Sequence, residues 1–292
     1  MDQLCAYFKQ KYEGNYVACD DGQSLLFIAD KTTYQVKLCL YTVKTDYSPN
    51  ENDDSIILAA VEKILPSIVK NPIYQFAIEL SKKLEVKFIP VYFPGKNSKE
   101  GETSNPPKFV ITNLSGNKTG IKDEATFKAK LHELIGVQPN DVPPKEKNKS
   151  VADFFHEWSR DNLACGDSGI TKCDLDGMFI DSNNTPAALI EIKRSKQISA
   201  KNWKPFTNDY TGLHLLFNVA SKAHAEFWVI HHGTERSATE LDKKFDFSFF
   251  KIEGFNEKGE PEYTPAQQPH TLEQIDSEIK ILITQVSQVD KI

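Results

Sequence analysis

The sequence lacks the spacing of a zinc site: its five cysteines, at positions 5, 19, 39, 165 and 173, form no Cys-x-x-Cys pair. Their odd number argues against a disulfide framework and for reduced thiols in a cytosolic compartment. No apolar run approaches the length of a membrane span, and the start Met-Asp-Gln-Leu-Cys-Ala lacks the basic residues and apolar core of a signal peptide. A glycine-rich phosphate cradle is missing, and so is any detectable internal repeat. Basic charge is not in excess either. The formal net charge is -6, so any contact with nucleic acid would need a local basic surface. These absences leave a soluble, cytoplasmic globular protein with no call for a membrane. Its 292 residues, 39% hydrophobic and 26% charged, suffice for an ordinary core and favour two domains over one.

What is present centres on residues 171 to 196. An apolar run through Leu175, Met178, Phe179 and Ile180 is followed by Ser182, Asn183, Asn184 and Thr185, then by a second run through Ala187, Ala188, Leu189, Ile190 and Ile192. Two strands joined by a polar turn are expected. With the turn centred between Asn183 and Asn184, antiparallel pairing sets Asp176 opposite Glu191 and Asp174 opposite Lys193, on one face. A one-residue slip would turn every apolar side chain over, so the apolar runs hold the register. The hairpin thus gathers carboxylates that repel one another unless a divalent cation neutralises them. One or two carboxylates plus a substrate phosphate is the usual way magnesium is held. Lys193 adds a positive charge suited to orienting a water or stabilising charge on a pentavalent phosphate.

Asp176, a short gap, and Glu191-Ile192-Lys193 inside an apolar strand resemble the PD-(D/E)XK nuclease superfamily, of the type II restriction-endonuclease kind. Leu175 stands where the motif has proline. The resemblance implies a small mixed sheet with flanking helices and magnesium-dependent cleavage of phosphodiesters, with Mn2+ a possible substitute. It also implies Asp176 and Glu191 as metal ligands, the Ile192 carbonyl as a further ligand, and Lys193 as the residue that handles the water. Asp174 stands either in place of Asp176 or as an auxiliary ligand. Members of this superfamily often place a helix ahead of the hairpin, sometimes with a glutamate that supports the metal. That makes Glu157, on a helix expected over 151–163, a candidate.

Around this motif the chain reads as α/β. Strands are expected at 16–19, 25–29, 34–43, 86–93 and 109–112, and helices at 56–69, from Pro72 onward, and at 124–135 closed by Gly136. Together these make an N-terminal α/β domain over 1–137, suited to target recognition or regulation. The proline- and lysine-rich 138–149 reads as a linker. Residues 150–292 are then the restriction-endonuclease-like core, with a helix at 209–222, strands at 226–231 and 245–252, and a final helix capped by Thr271 and Gln274. Within the N-terminal half, Gln35-Val36-Lys37 sits on a strand in the manner of Glu-x-Lys but lacks the glutamate. After the hairpin, Arg194, Lys196, Lys201 and Lys204 surround Trp203, a basic and aromatic cluster of the kind that touches phosphate and packs on bases or sugars. His231 and His232 point to opposite faces of a strand and so do not share one ion easily.

The sequence therefore leads to the expectation of a magnesium-dependent endonuclease on double-stranded DNA, sequence-specific and restriction-like, acting as a homodimer on a palindromic site. A repair, recombination or defence nuclease is the rival among enzymes. A non-catalytic nucleic-acid-binding protein is the rival from another class.

Overall fold

The computed structural model describes residues 3–19, 22–48, 50–95, 106–113, 118–136, 154–163, 170–195, 203–233, 247–264 and 270–289. In chain order the elements begin with α1 (Gln3–Lys11), β1 (Tyr16–Ala18), β2 (Gln23–Asp30), β3 (Val36–Thr45), α2 (Asp54–Ile68) and α3 (Pro72–Lys83). Next come β4 (Lys87–Pro94), β5 (Lys108–Thr112), β6 (Lys118–Asp123), α4 (Glu124–Ile135), α5 (Phe154–Leu163) and β7 (Ile170–Leu175). The chain continues with β8 (Gly177–Ile180), β9 (Pro186–Ser195), α6 (Tyr210–Ala223) and β10 (Glu226–Gly233). It ends with β11 (Phe247–Phe255), β12 (Pro261–Tyr263) and α7 (Leu272–Val289). The class is mixed α/β. Among the described residues no helix is long and apolar enough to cross a membrane, and no disulfide joins Cys5, Cys19, Cys39 and Cys173.

Two compact units form, and they divide the chain differently from the expected break at 138–149, which lies outside the described residues. One unit comprises Met1–Asp20 with Leu175–Ile292, the other Asp21–Asp174. Residues 21–174 are thus an insertion between β1 and β8. Those two strands pair side by side, Ala18 with Gly177, and the Cys19 amide donates to the Asp176 carbonyl at 2.9 Å. Of the first three strands, β1 joins a sheet whose other strands lie beyond residue 175, while β2 and β3 lie in the other sheet.

The discontinuous unit holds the sheet β1-β8-β9-β10-β11-β12. Its strands pair antiparallel except for β9 with β10, which are parallel and joined through α6. Phe179, Ala188, Ile190, Trp228, Ile230, Phe247 and Phe249 turn to one face and pack on α1 (Leu4, Phe8) and α7 (Leu272, Ile275, Ile279, Leu282). The capping reading of α7 holds. The Thr271 amide donates to Gln274 Oε1 at 2.8 Å and the Gln274 amide to Thr271 Oγ1 at 3.3 Å, satisfying donors the helix start leaves open.

The inserted unit holds the sheet β6-β5-β4-β3-β2-β7. Here too an antiparallel hairpin, β2 and β3, leads through helix to a strand parallel to its second arm, β4, and then to antiparallel β5 and β6. Its core joins Leu26, Ile28, Leu38, Leu40, Ile89 and Val91 to Phe127 and Leu131 of α4 and Phe155 and Trp158 of α5. The helix over 151–163, expected to open the C-terminal core, therefore belongs to this unit. In the discontinuous unit the helix ahead of the strands is α1, whose short, weakly patterned stretch was not read as a helix from sequence. Pro66 sits inside α2. Asp53 is its N-cap, accepting from the Ser55 amide.

One ionic cluster fastens α1 to α7. Asp276, 4% exposed, accepts from Tyr12 Oη at 2.6 Å and Tyr7 Oη at 2.7 Å, and pairs with Lys11. Burial works against the charged carboxylate, but the hydrogen bonds from Lys11, Tyr12 and Tyr7 outweigh it and hold the Asp276 pKa below the ordinary value. A depressed carboxylate pKa gives stability that is present above the unfolded value of about 3.9 and lost as pH falls through the folded one. Asp276→Ala is expected to lower stability by about 2 kcal/mol, since it takes the acceptor from the buried Tyr12 hydroxyl and from the half-buried Tyr7 hydroxyl. Urea unfolding should register that loss at pH 7, and a smaller one below pH 3.

Candidate functional site

The hairpin β8–β9 sets the site. Gly177 pairs with Ile190, Met178 with Leu189 and Phe179 with Ala188, before a bulge shifts Ile180 onto Pro186. Extended by one step, this register places Asp176 opposite Glu191, as the apolar runs predicted. The turn is closed by Asp181, whose Oδ1 accepts from the amides of Asn183 at 2.9 Å and Thr185 at 2.7 Å, while Asn184 takes φ 60°. Such local bonds are why Asx-type residues terminate strands. Gly177, next to Asp176, is required by packing: a Cβ there would lie 2.5 Å from Tyr16 Oη and 3.0 Å from the Val17 carbonyl.

Strand alternation then separates chemistry from core. Ile190 goes into the core beneath α1 and α7, with Ile192 packed at its margin, so Glu191 and Lys193 stand on the opposite face, which α6 covers. Glu191 is 8% exposed. Lys193 Nζ lies 2.9 Å from Glu191 Oε1 and 3.1 Å from Oδ1 of Asp209, at the start of α6. The other Asp209 oxygen accepts from the Phe206 amide at 3.2 Å, fixing the loop that carries the aspartate. Burial disfavours the Lys193 charge, but the Glu191 and Asp209 carboxylates more than compensate and raise its pKa well above that of an ordinary lysine. Asp176 Oδ2 accepts from the Ile192 amide at 2.6 Å, which pins that carboxylate to the strand carrying Glu191 and Lys193.

On the same face β10 brings His231 into register with Lys193. His231 is fully buried, stacked on Trp203 with centroids 4.4 Å apart and planes 4° from parallel, and its Nδ1 lies 3.4 Å from Ser248 Oγ. Burial, with His232 beside it, pushes the His231 pKa down to about 4. This ring is neutral at physiological pH.

The other expected residues fall as follows. Asp174 lies on β7, in the sheet of the inserted unit beside β2, so it does not stand opposite Lys193 as the hairpin reading had it. Glu157 lies on α5 in that same unit; its side chain is outside the described residues. Arg194 and Lys204 are exposed, whereas Lys196 and Lys201 are outside the described residues. Trp203, expected against substrate, is 2% exposed and serves as a wall of the core; the exposed aromatic nearby is Phe206, at 50%. Asp209 and the stacked His231 were not singled out for this site. Both reach Lys193 only through the packing of α6 and β10 on β9, which no local pattern encodes.

No protein-family model matches this chain, and no curated protein does. The reading of the site accordingly rests on its geometry. Among the described residues no group of three or more histidine, cysteine, aspartate or glutamate side chains stands ready to hold a metal ion. The donor types nevertheless fit magnesium. Asp176 and Glu191 are hard oxygen donors fixed on adjoining strands, and that ion is usually held by one or two carboxylates, waters and substrate phosphate instead of by a full protein cage.

The buried imidazole gives a direct check. His231 binds no proton between pH 6.5 and about 4 while the unfolded chain does, so acid in that window favours unfolding. A 1H–13C titration of the His231 ring should show a midpoint near 4, and a midpoint near the ordinary 6.5 would mean that the ring is not enclosed as described.

Proposed function

We propose that this chain is a magnesium-dependent endonuclease that hydrolyses phosphodiester bonds of double-stranded DNA. The observation carrying this reading is the hairpin register that joins Asp176, Glu191 and Lys193 in one small mixed sheet. The element order is a second support. Helix, hairpin, helix, strand is the order of the nuclease superfamily that the motif resembles, and here α1, β8–β9, α6 and β10 supply it.

In this reading Asp176 and Glu191, with the Ile192 carbonyl, would hold Mg2+ or Mn2+, and the ion would supply Lewis acidity at the scissile phosphate. Lys193 acts as a fixed cation. Its raised pKa rules it out as a general base near neutrality, so it donates hydrogen bonds to the attacking water or to phosphate oxygens as negative charge gathers there. Asp209 holds the ammonium in place, which limits the reorganisation needed when substrate arrives. Arg194 and Lys204, both exposed, are suited to phosphate contacts that set the position of the duplex. Recognition of a defined sequence, in the manner of a restriction enzyme, is assigned to the inserted unit.

A long defined duplex incubated with Mg2+ should be cut, and a chelator should stop the cutting. Asp176→Ala, Glu191→Gln and Lys193→Ala are each expected to lower the rate by about 100-fold or more while leaving the circular dichroism spectrum unchanged. Wild-type rates in Lys193→Ala would remove it from the mechanism, and discrete bands rather than a smear on a denaturing gel would establish sequence specificity.

A further inference from the structure

The two units repeat one another strand by strand. Each sheet carries an edge strand, an antiparallel hairpin, a strand parallel to the hairpin's second arm, and two further antiparallel strands: β1-β8-β9-β10-β11-β12 in one, β7-β2-β3-β4-β5-β6 in the other. Matching details go deeper than topology. β3 and β9 are ten residues each, and β4 and β10 eight each. Both hairpins have a bulge beside the turn, between Ile28 and Ala29 and between Phe179 and Ile180. Both turns open on an aspartate whose Oδ1 caps later amides, Asp30 and Asp181, and both contain a residue at positive φ, Tyr34 and Asn184. α3 and α6 end alike, at Glu85 with φ 56° and His224 with φ 59°. The core positions coincide as well: Ile28 with Phe179, Leu38 with Ala188, Leu40 with Ile190, Val91 with Ile230.

The order along the chain adds one feature. Helix and strand precede each hairpin, α1–β1 before β2 and α5–β7 before β8, yet α1–β1 completes the second hairpin's sheet and α5–β7 the first's. Each copy has the other's leading pair. Such an exchange is what a tandem duplication produces when the two copies trade an identical element, as in domain swapping.

Counting from the bulge, Asp176 corresponds to Leu25, Glu191 to Tyr41 and Lys193 to Val43. Leu25 and Tyr41 are register partners, and all three are at most 2% exposed. Tyr41 packs on Tyr74 at 5.3 Å, so the place held by charges in one copy is filled by rings in the other. Gln35-Val36-Lys37 does not occupy it; that tripeptide stands at the turn end of β3. The inserted copy has neither the carboxylates nor the lysine.

We propose that the chain is a swapped tandem duplication with one chemically silent copy, and that it therefore breaks a single strand of the duplex per binding event. This rests on the nuclease reading above. Water adds to phosphorus as one P–O ester bond breaks; the departing oxygen takes up a proton, leaving one hydroxyl end and one phosphate end. With a single site in a chain that already contains both copies of the fold, a second chain is not required for binding, and the opposite strand stays intact.

Supercoiled plasmid with Mg2+ and limiting protein tests this. Open circles should accumulate to near completion, at a rate proportional to protein, before linear DNA appears. Linear product without an open-circle intermediate, or formed with second-order dependence on protein, would overturn the inference while leaving the nuclease reading intact. Mn2+ binding, followed by the electron paramagnetic resonance signal of the free ion, tests the silent copy without turnover. Binding should be abolished in Asp176→Asn/Glu191→Gln; binding that survives the double variant would place a second centre in the chain and sink the proposal. If the natural chain neither cuts nor binds Mn2+, the nuclease reading falls and this inference with it.

Discussion

Everything chemical in this protein depends on the register of one hairpin. Strand side chains alternate, so the pairing of Gly177 with Ile190 decides that Ile190 faces the core and that Glu191 and Lys193 face α6. The bulge at Phe179 and Ile180 absorbs the odd residue of the turn, and the Asp181 cap fixes where the turn lies. A slip by one residue would bury a glutamate and a lysine under α1 and α7, at several kcal/mol for each unpaired charge. The apolar content of the two strands thus secures the position of the polar residues between them.

Within that frame the charges are balanced locally. Lys193 has two carboxylates to satisfy it, Glu191 from its own strand and Asp209 from the helix that follows. Neutral His231, wedged between Trp203 and Ser248, adds no competing charge on the same face. The outcome is a half-buried cation with fixed acceptors on either side, which a solvated lysine on a surface strand would not be. Preorganisation of this sort is what gives an electrostatic catalyst its advantage over water.

The hairpin, its register and its turn were legible in the sequence because they are encoded by neighbours: apolar runs, an Asx-rich turn, alternating polarity. α7 and its capping pair Thr271 and Gln274 were legible for the same reason, as was α3 with Pro72 at its start. What escaped the sequence was long-range. The 3–11 stretch is short and weakly patterned, and it gains its role by docking Leu4 and Phe8 onto strands more than 150 residues away. Asp209 looked like a helix start, which it is; its pairing with Lys193 exists only once α6 lies across β9. The repeat was invisible for a related reason. Two copies can keep the same pattern of buried positions, Leu40 for Ile190 or Val91 for Ile230, while sharing few identical residues, since a core demands volume and apolarity more than identity.

The insertion of residues 21–174 into the β1–β8 pair bears on how the protein is made. Leu4, Phe8, Tyr12 and Tyr16 are translated before residues 21–174, whereas the strands and the helix α7 that cover them are translated after those residues. At about 5–20 residues per second that interval is on the order of tens of seconds, during which the inserted unit can acquire its own sheet. During that interval the nascent chain carries Leu4 and Phe8 of α1 without the strands and helix that bury them, surface of the kind that chaperones shield.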